Sequence, residues 1–283
     1  MKLIVDSGST KTDWIALDSN DELLFETQTQ GLNPQVLSDQ ILEERIINNY
    51  DLYRQRKLVK HIFFYGAGCG TRPPRKLLKE VLQGIFEFAT IEVKEDTYAA
   101  VYAATELNKE SIVCILGTGS NCSYFDGVEV EQRITSLGYI LMDDGSGNYY
   151  GRQLLRDYYF NNIPKDMAAV FEDSFDLSSE TIKTNLYKKP NPNTYLAKFA
   201  RFLIENKESE YSQNLIKKGF ELFARNQILQ FENAKNVPVH FIGSIAFYLQ
   251  QELKEVLASL GLTSGKILKK PIEGLVEYHR NQH

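Results

Sequence analysis

Leu3-Ile4-Val5-Asp6-Ser7-Gly8-Ser9-Thr10-Lys11-Thr12-Asp13-Trp14 decides how the rest of the chain is read. An apolar run ends in an acid, a loop of small hydroxyl residues with one lysine follows, and Trp14-Ile15-Ala16-Leu17 returns to apolar residues. The pattern is strand, tight polar loop, strand. Small residues let backbone N–H groups converge on an anion, hydroxyls add donors, and Asp6 can hold a hydrated metal ion. The chemistry suggested is phosphate handling. A Walker loop is excluded, because that motif needs G-x-x-x-x-G-K-[ST] and a helix directly after it. Taken alone, the loop reads as well as a plain hairpin turn.

The pattern returns at Ile112-Val113-Cys114-Ile115-Leu116-Gly117-Thr118-Gly119-Ser120-Asn121-Cys122-Ser123-Tyr124-Phe125-Asp126. Here again an apolar strand, a Gly/Thr/Ser loop and a second strand follow one another. Ser7-Gly8-Ser9 aligns with Thr118-Gly119-Ser120 without gaps. Two half-chains that each open on such a hairpin imply an internal duplication. Two loops of this kind can grip one polyphosphate from both sides of a cleft.

The 283 residues suffice for one large domain or two ordinary ones. A net charge of −5 and the lack of a basic stripe argue against nucleic acid as a partner. No apolar run approaches a membrane span. The N-terminus enters a strand at once without a signal peptide, and three cysteines without C-x-x-C spacing point to a reducing, cytoplasmic setting. No zinc or iron–sulfur signature is present.

Periodicity predicts strands at Lys2–Asp6, Trp14–Leu17 and Leu23–Thr29 and a helix over Val36–Tyr50. Next come a strand at His61–Tyr65, a helix from Arg72 to Ile85, a strand at Thr90–Val93 and a helix over Thr97–Leu107. The first half thus runs βββαβαβα. The second half restarts at Ile112, with a third strand over Val128–Thr135. A mainly helical block spans 150–233, with a strand at Val239–Ile242 and helices over Ile245–Leu260 and Glu273–Arg280.

These motifs, in this order, resemble the actin-like ATPase superfamily of sugar kinases, Hsp70 and actin. Within it they are similar to the N-acetylglucosamine kinase group of the BadF/BadG/BcrA/BcrD ATPase family. The resemblance rests on Asp6–Asp13, Gly31-Leu32-Asn33-Pro34, Asp96 before an Ala-rich helix, Gly117-Thr118-Gly119-Ser120-Asn121, Asp143-Asp144-Gly145-Ser146 and Gly243-Ser244, and it covers nearly the whole chain. The chain departs from the family at Met142, where a glycine is usual, and at Leu137, which falls where the vertebrate-type kinases have a tryptophan.

The resemblance implies an α/β protein of two actin-like (ribonuclease H-like) lobes, each opening with a βββ phosphate hairpin, with the helical block inserted in the second. The lobes would span 1–108 and 109–270, with a C-terminal helix at 271–283 packing back on the first. It implies an ATP- and Mg²⁺-dependent kinase that acts on an amino sugar, with the 6-hydroxyl of N-acetylglucosamine as the expected acceptor and a homodimer as an allowed assembly.

Asp96 would be the general base and touch the sugar, although on position alone it is also an ordinary helix N-cap. Asn33, Ser120, Asn121 and Asp143 would bind sugar hydroxyls, and Ser136, Leu137 and Gly138 would line the sugar. For Asp143 an Asp-Gly turn, and for Asn33 a turn before proline, serve equally on chemistry alone. Phosphate would meet Ser7, Gly8, Ser9, Thr10, Lys11, Thr12, Gly117, Thr118 and Gly119. The adenosine would approach Gly243 and Ser244, and Asp6 would hold Mg²⁺ through water.

Three relatives within the superfamily offer rival readings. An activator of a 2-hydroxyacyl-CoA dehydratase or benzoyl-CoA reductase needs a cluster-binding cysteine pair. A nucleotide-dependent sugar sensor needs a helix-turn-helix, for which no room is expected before Met1-Lys2. A zinc-containing glucokinase needs a cysteine cluster.

Overall fold

The computed structural model describes residues 1–8, 11–106 and 109–280. It divides into two compact units, Met1–Ala103 with Pro271–His283, and Ala104–Lys270.

The first unit is built on β1 (Lys2–Ser7), β2 (Lys11–Leu17), β3 (Leu23–Gln30), β4 (His61–Gly66) and β5 (Thr90–Glu95). The sheet order is β3-β2-β1-β4-β5. β1 pairs antiparallel with β2 and parallel with β4, and β4 pairs parallel with β5. The helices are α1 (Asp39–Ile47), α2 (Tyr50–Gln55), α3 (Arg72–Ile85) and α4 (Asp96–Ala104). The helix predicted over Val36–Tyr50 is α1, shorter at both ends, and α2 follows where no helix was predicted. Asn49 separates the two, with its side chain capping α2 at Leu52 N–H and its amide reaching Thr27 Oγ1 on β3 (2.8 Å). Trp14 is fully buried against Phe64 and Phe86, and its indole N–H donates to Thr29 Oγ1 (3.0 Å).

The second unit holds β6 (Ser111–Leu116), β7 (Ser120–Phe125), β8 (Val130–Glu131), β9 (Pro238–Ile242) and β10 (Thr263–Leu268). Their order is β10-β9-β6-β7-β8, the first sheet's order repeated with the same pairing senses. This repetition supports the duplication, but the ungapped alignment is out of step. The last hairpin pairs are Ser7↔Thr12 and Leu116↔Ser120. Ser7 thus matches Leu116, two residues before Thr118, and the second loop (117–119) is one residue shorter than the first (8–11).

Between β8 and β9 lie α5 (Gly147–Tyr159), α6 (Lys165–Ser174), α7 (Ser179–Tyr187), α8 (Pro192–Ala197), α9 (Ala200–Glu205) and α10 (Glu210–Asn226). They bury Tyr150, Phe171, Phe199, Phe202, Phe220 and Phe223 in one core with Phe241 of β9. The expected strand Val128–Thr135 shrinks to the two residues of β8. The expected helix over Ile245–Leu260 is α11 (Ser244–Tyr248) followed by α12 (Gln250–Ser259). β10 was not expected from its sequence. Its pairing shifts register between Ser264 and Ile267, where His240 Nδ1 accepts from Lys266 N–H (2.9 Å).

The chain ends with α13 (Ile272–Arg280), which belongs to the first unit. His279 is buried, stacks on Phe63 (4.1 Å) and bonds Tyr65 Oη through Nε2 (2.9 Å). Burial holds its imidazole down at about 4, so it packs as a neutral ring.

α5 crosses α8 at Gly151, where a Cβ would stand 1.8 Å from the Leu196 carbonyl oxygen. Backbone cannot yield as a side-chain tip can, so Gly151→Ala forces the helices apart. The expected cost is about 3 kcal/mol or more in urea unfolding, above the usual range for overpacking. A loss below ~1 kcal/mol would show that this crossing is loose.

Candidate active site

In the first unit, β1 ends on Asp6 and Ser7. Ser7 and Thr12 are both buried, with their hydroxyl oxygens 2.7 Å apart. Thr12 donates its proton to the Gln30 carbonyl (3.2 Å), so the proton between them comes from Ser7. Ser7 Oγ also accepts from Leu32 N–H (3.1 Å). These two hydroxyls therefore tie the hairpin to the 31–34 loop. Gly8 N–H closes the turn on the Lys11 carbonyl (3.0 Å). The Lys11 ammonium pairs with Asp13 (2.9 Å), which also accepts from Gln28 (2.7 Å). Ser9 and Thr10 lie outside the described residues.

Asp6 is half-buried and stands opposite Asp13 in the β1–β2 register. With Asp13 engaged by Lys11 and Gln28, this end of the hairpin suits a hydrated ion resting on one carboxylate. It does not suit an all-protein cage, and among the described residues no cluster of three His, Cys, Asp or Glu could hold a metal.

Asn33 follows Leu32 on the docked loop. Its Oδ1 accepts from Gln35 N–H (2.9 Å), and the carboxamide lies against Gly68, which has φ +80°. Asp96 opens α4 directly after β5 and keeps part of its surface exposed. Burial, and then the charge of Glu95, pushes its carboxyl up to about 6 against the pull of N–H donors from Thr97 and Asp96 itself. The Glu95 carboxylate rests on Gly70, where a Cβ would stand 2.8 Å from Oε1. Cys69, between the two glycines, is buried, and its thiol is pushed up to about 12 by that burial and by Asp96. It is an inert packing residue.

In the second unit the 117–119 loop is held by the first turn of α5. Gly147 N–H donates to the Gly117 carbonyl (2.8 Å) and Asn148 N–H to the Thr118 carbonyl (2.9 Å). Ser146 caps the helix at Tyr149 N–H. Just before this turn Asp143 takes a left-handed conformation (φ 67°) and is 9% exposed. Its Oδ2 lies where a Cβ on Gly119 would come within 2.7 Å. The acid therefore lies across the hairpin loop. Asp144 points elsewhere and accepts from Asn226 of α10 (2.9 Å). Ser120 and Asn121 open β7, and Asn121 Oδ1 accepts from Gln132 (3.3 Å).

Ser136 and Leu137 are exposed, and Gly138 starts a turn in which Met142 N–H donates to the Gly138 carbonyl (2.9 Å). Arg152 of α5 donates to the carbonyls of Tyr139 (2.9 Å) and Ile140 (3.1 Å), holding this turn to the helix. Gly243 follows β9 with φ +124°, a conformation for glycine alone, and a Cβ there would stand 2.3 Å from the Leu116 carbonyl oxygen. Ser244 begins α11 beside a cavity of about 660 Å³ lined by Phe175, Ala197, Lys198, Arg201, Ser244 and Tyr248.

Sequence reasoning missed Glu95, Asn148 and Arg152. Each is a polar residue that acts on a neighbour rather than on a ligand. The only signals were the acidic pair Glu95-Asp96 and a polar residue between glycine and two tyrosines in the first turn of a helix.

No family model matches the chain. It is similar over its whole length to a candidate N-acetylglucosamine kinase from Porphyromonas gingivalis. That structure shares 35% identity and a TM-score of 0.93, with 100% of both chains covered. A candidate N-acetylglucosamine kinase from Chromobacterium violaceum matches at 14% identity and TM-score 0.76, over 98% of each chain. A ROK family glucokinase from Streptomyces griseus, solved with glucose and AMPPNP, matches at 13% identity and TM-score 0.59, over 98% and 97% of the two chains. The last two speak to fold alone. Together these likenesses bear out two actin-like lobes with a helical insertion in the second.

A raised carboxyl pKa is a stability statement. The contribution of Asp96 is fully present below its ordinary value of 3.8 and is lost as pH rises through about 6. Asp96→Asn keeps the shape and escapes this cost, which is at most ~3 kcal/mol for a shift of this size. The variant is expected to melt higher than the parent at pH 7.5 and at the same temperature at pH 4. A lower melting temperature at both values would make Asp96 a helix cap first.

Proposed function

The chain belongs to the actin-like sugar kinases, in the family of the Porphyromonas gingivalis protein, and from that premise we propose that it transfers the γ-phosphoryl group of ATP to the 6-hydroxyl of N-acetylglucosamine. The observation that carries the reading is Asp143 lying across Gly119. It sets an acceptor for sugar hydroxyls against a loop suited to phosphate, within one unit.

Phosphoryl transfer asks a protein mainly for positioning and charge neutralisation. In this reading the sugar O6 attacks the γ-phosphorus, the bond to the β–γ bridging oxygen breaks, and ADP leaves. The O6 proton passes to Asp96, whose carboxyl at about 6 is ionised at neutral pH yet basic enough to take it. Asp143, Asn33, Ser120 and Asn121 bind the remaining hydroxyls, and the turn at Ser136, Leu137 and Gly138 lines the sugar.

Each unit offers its own hairpin loop to phosphate in this reading, 8–11 in the first and 117–119 in the second. Backbone N–H groups, with Thr10, Lys11 and Thr118, take the roles first assigned to the hairpin as a whole, since Ser7 and Thr12 spend their hydroxyls inside the fold. Engaging the Gly117 and Thr118 carbonyls with α5 removes acceptors that would repel an anion. The adenosine enters the cavity beside Gly243 and Ser244, where Tyr248 and Phe175 offer ring faces and Lys198 offers charge, Arg201 being paired with Glu205 (2.8 Å). Mg²⁺, held through water by Asp6, would neutralise phosphate charge.

The test is ADP release measured with ATP and Mg²⁺ across a panel of sugars. N-acetylglucosamine is expected to exceed glucose in kcat/KM, because any buried polar group that pairs with the acetamide is left unpaired by glucose, at about 1–3 kcal/mol each. Equal values would sink the sugar class, and no turnover of any sugar would sink the kinase.

Asp96→Asn is expected to lower kcat by about 10²–10⁴-fold with little change in sugar affinity. The parent's kcat/KM is expected to fall below pH ~6 as one proton binds Asp96. Glu95→Gln removes the like charge and shifts that limb to lower pH. An acid limb that stays put in Glu95→Gln would assign it to another group.

A further inference from the structure

Asn148 is 1% exposed, an unusual burial for an amide in the first turn of a helix. Its Nδ2 donates to Asp143 Oδ2 (2.8 Å), and its Oδ1 accepts from Ser146 Oγ (3.1 Å). Its backbone N–H separately holds the Thr118 carbonyl. The helix start does not need this side chain, because Ser146 Oγ already caps Tyr149 N–H and the hairpin is held by backbone alone. Asp143 does need it. Its carboxylate faces Gly119 on one side, and the amide fixes which oxygen is spent inside the protein. With Oδ2 committed, Oδ1 is the oxygen that remains for a sugar hydroxyl.

We propose that Asn148 is a positioning residue for the sugar. It locks the rotation of the Asp143 carboxylate and so sets sugar affinity, leaving the nucleotide untouched. The proposal rests on the reading of Asp143 as a sugar ligand. A carboxylate that turned freely would lose the geometry of its bond to the hydroxyl and would pay to order itself on binding.

Two charged neighbours of the pair are engaged elsewhere. Asp144 is tied to Asn226 of α10, and Arg152 is turned to the carbonyls of Tyr139 and Ile140. This makes Asn148→Asp a diagnostic variant. The introduced carboxyl, when protonated, donates to Asp143 as the amide does, while its other oxygen still accepts from Ser146. Two buried carboxylates this close share one proton, and the second leaves only at raised pH. The variant then repels where the parent attracts.

Titration calorimetry with N-acetylglucosamine, and separately with a non-hydrolysable ATP analogue, tests this on the full chain. Asn148→Ala is expected to weaken sugar binding about tenfold or more, the loss of one hydrogen bond to a charged group, and to change nucleotide binding less than twofold. Asn148→Asp is expected to bind sugar within about threefold of the parent at pH 5.5 and as weakly as Asn148→Ala at pH 8, with Asn148→Ala tracking the parent's own pH dependence.

If Asp143→Asn leaves sugar affinity unchanged, the reading of Asp143 itself fails. If Asp143→Asn weakens sugar and Asn148→Ala does not, the positioning role alone is overturned. Equal weakening of sugar and nucleotide in Asn148→Ala also overturns it, since that marks a general loosening of the hairpin. Should Asn148→Ala fail to fold, Asn148→Asp decides. A sugar affinity in that variant with no more pH dependence than the parent's refutes the proposal.

Discussion

Two backbone hydrogen bonds organise the second unit, from Gly147 N–H to the Gly117 carbonyl and from Asn148 N–H to the Thr118 carbonyl. The first N–H groups of any helix lack partners within it and must find them elsewhere. Here they find them on a hairpin loop whose carbonyls are equally in need of donors. The contact allows no bulk: a Cβ on Gly147 would sit 3.0 Å from Ala197 Cβ and 3.2 Å from the Gly117 oxygen. The helix that makes this contact then crosses α8 at Gly151, so the helical block is hung from the same loop that faces the proposed phosphate.

Much of the fold was legible because it rests on periodicity. Lys2–Asp6, His61–Tyr65 and Ile112–Leu116 are apolar runs buried on both faces, and each became a central strand close to its predicted bounds. The elements that were missed lack such a run. β10 reads Thr-Ser-Gly-Lys-Ile-Leu, and what makes it a strand is a parallel neighbour and the His240 ring nitrogen filling its irregular register. β8 was overestimated because Val128–Thr135 has β-forming residues, yet Asp126 Oδ1 accepts from Val128 and Glu129 N–H and spends these two on the hairpin turn, and the ladder that starts at Val130 ends at Glu131.

The site was legible at a different level. Residue type and order placed Asp96 at a strand end opening a helix, and it stands so; Asp143 was singled out by the resemblance, and its position across Gly119 came only with the structure. What sequence could not show is how the hydroxyls are spent. Ser7 and Thr12 look like loop donors, but β pairing sets them directly opposite each other and their protons go inward, to each other and to Gln30. A three-residue bond path of that kind depends on register, and register is invisible until the turn length is known.

The two hairpins therefore keep one topology and have parted in chemistry. The first is anchored by side chains, through Ser7, Thr12 and the docked Leu32 N–H. The second is anchored by main chain, through the first turn of α5. Side-chain anchoring leaves the loop one residue longer and asks for hydroxyls at its base. Main-chain anchoring asks for glycine, since a helix end and a loop can share backbone bonds only at close approach. The Thr118 side chain is then not needed to hold the loop, and Gly119 can lie directly under the Asp143 carboxylate. The shorter second loop, the glycines around it and the position of Asp143 thus all meet at the contact between the loop and the first turn of α5.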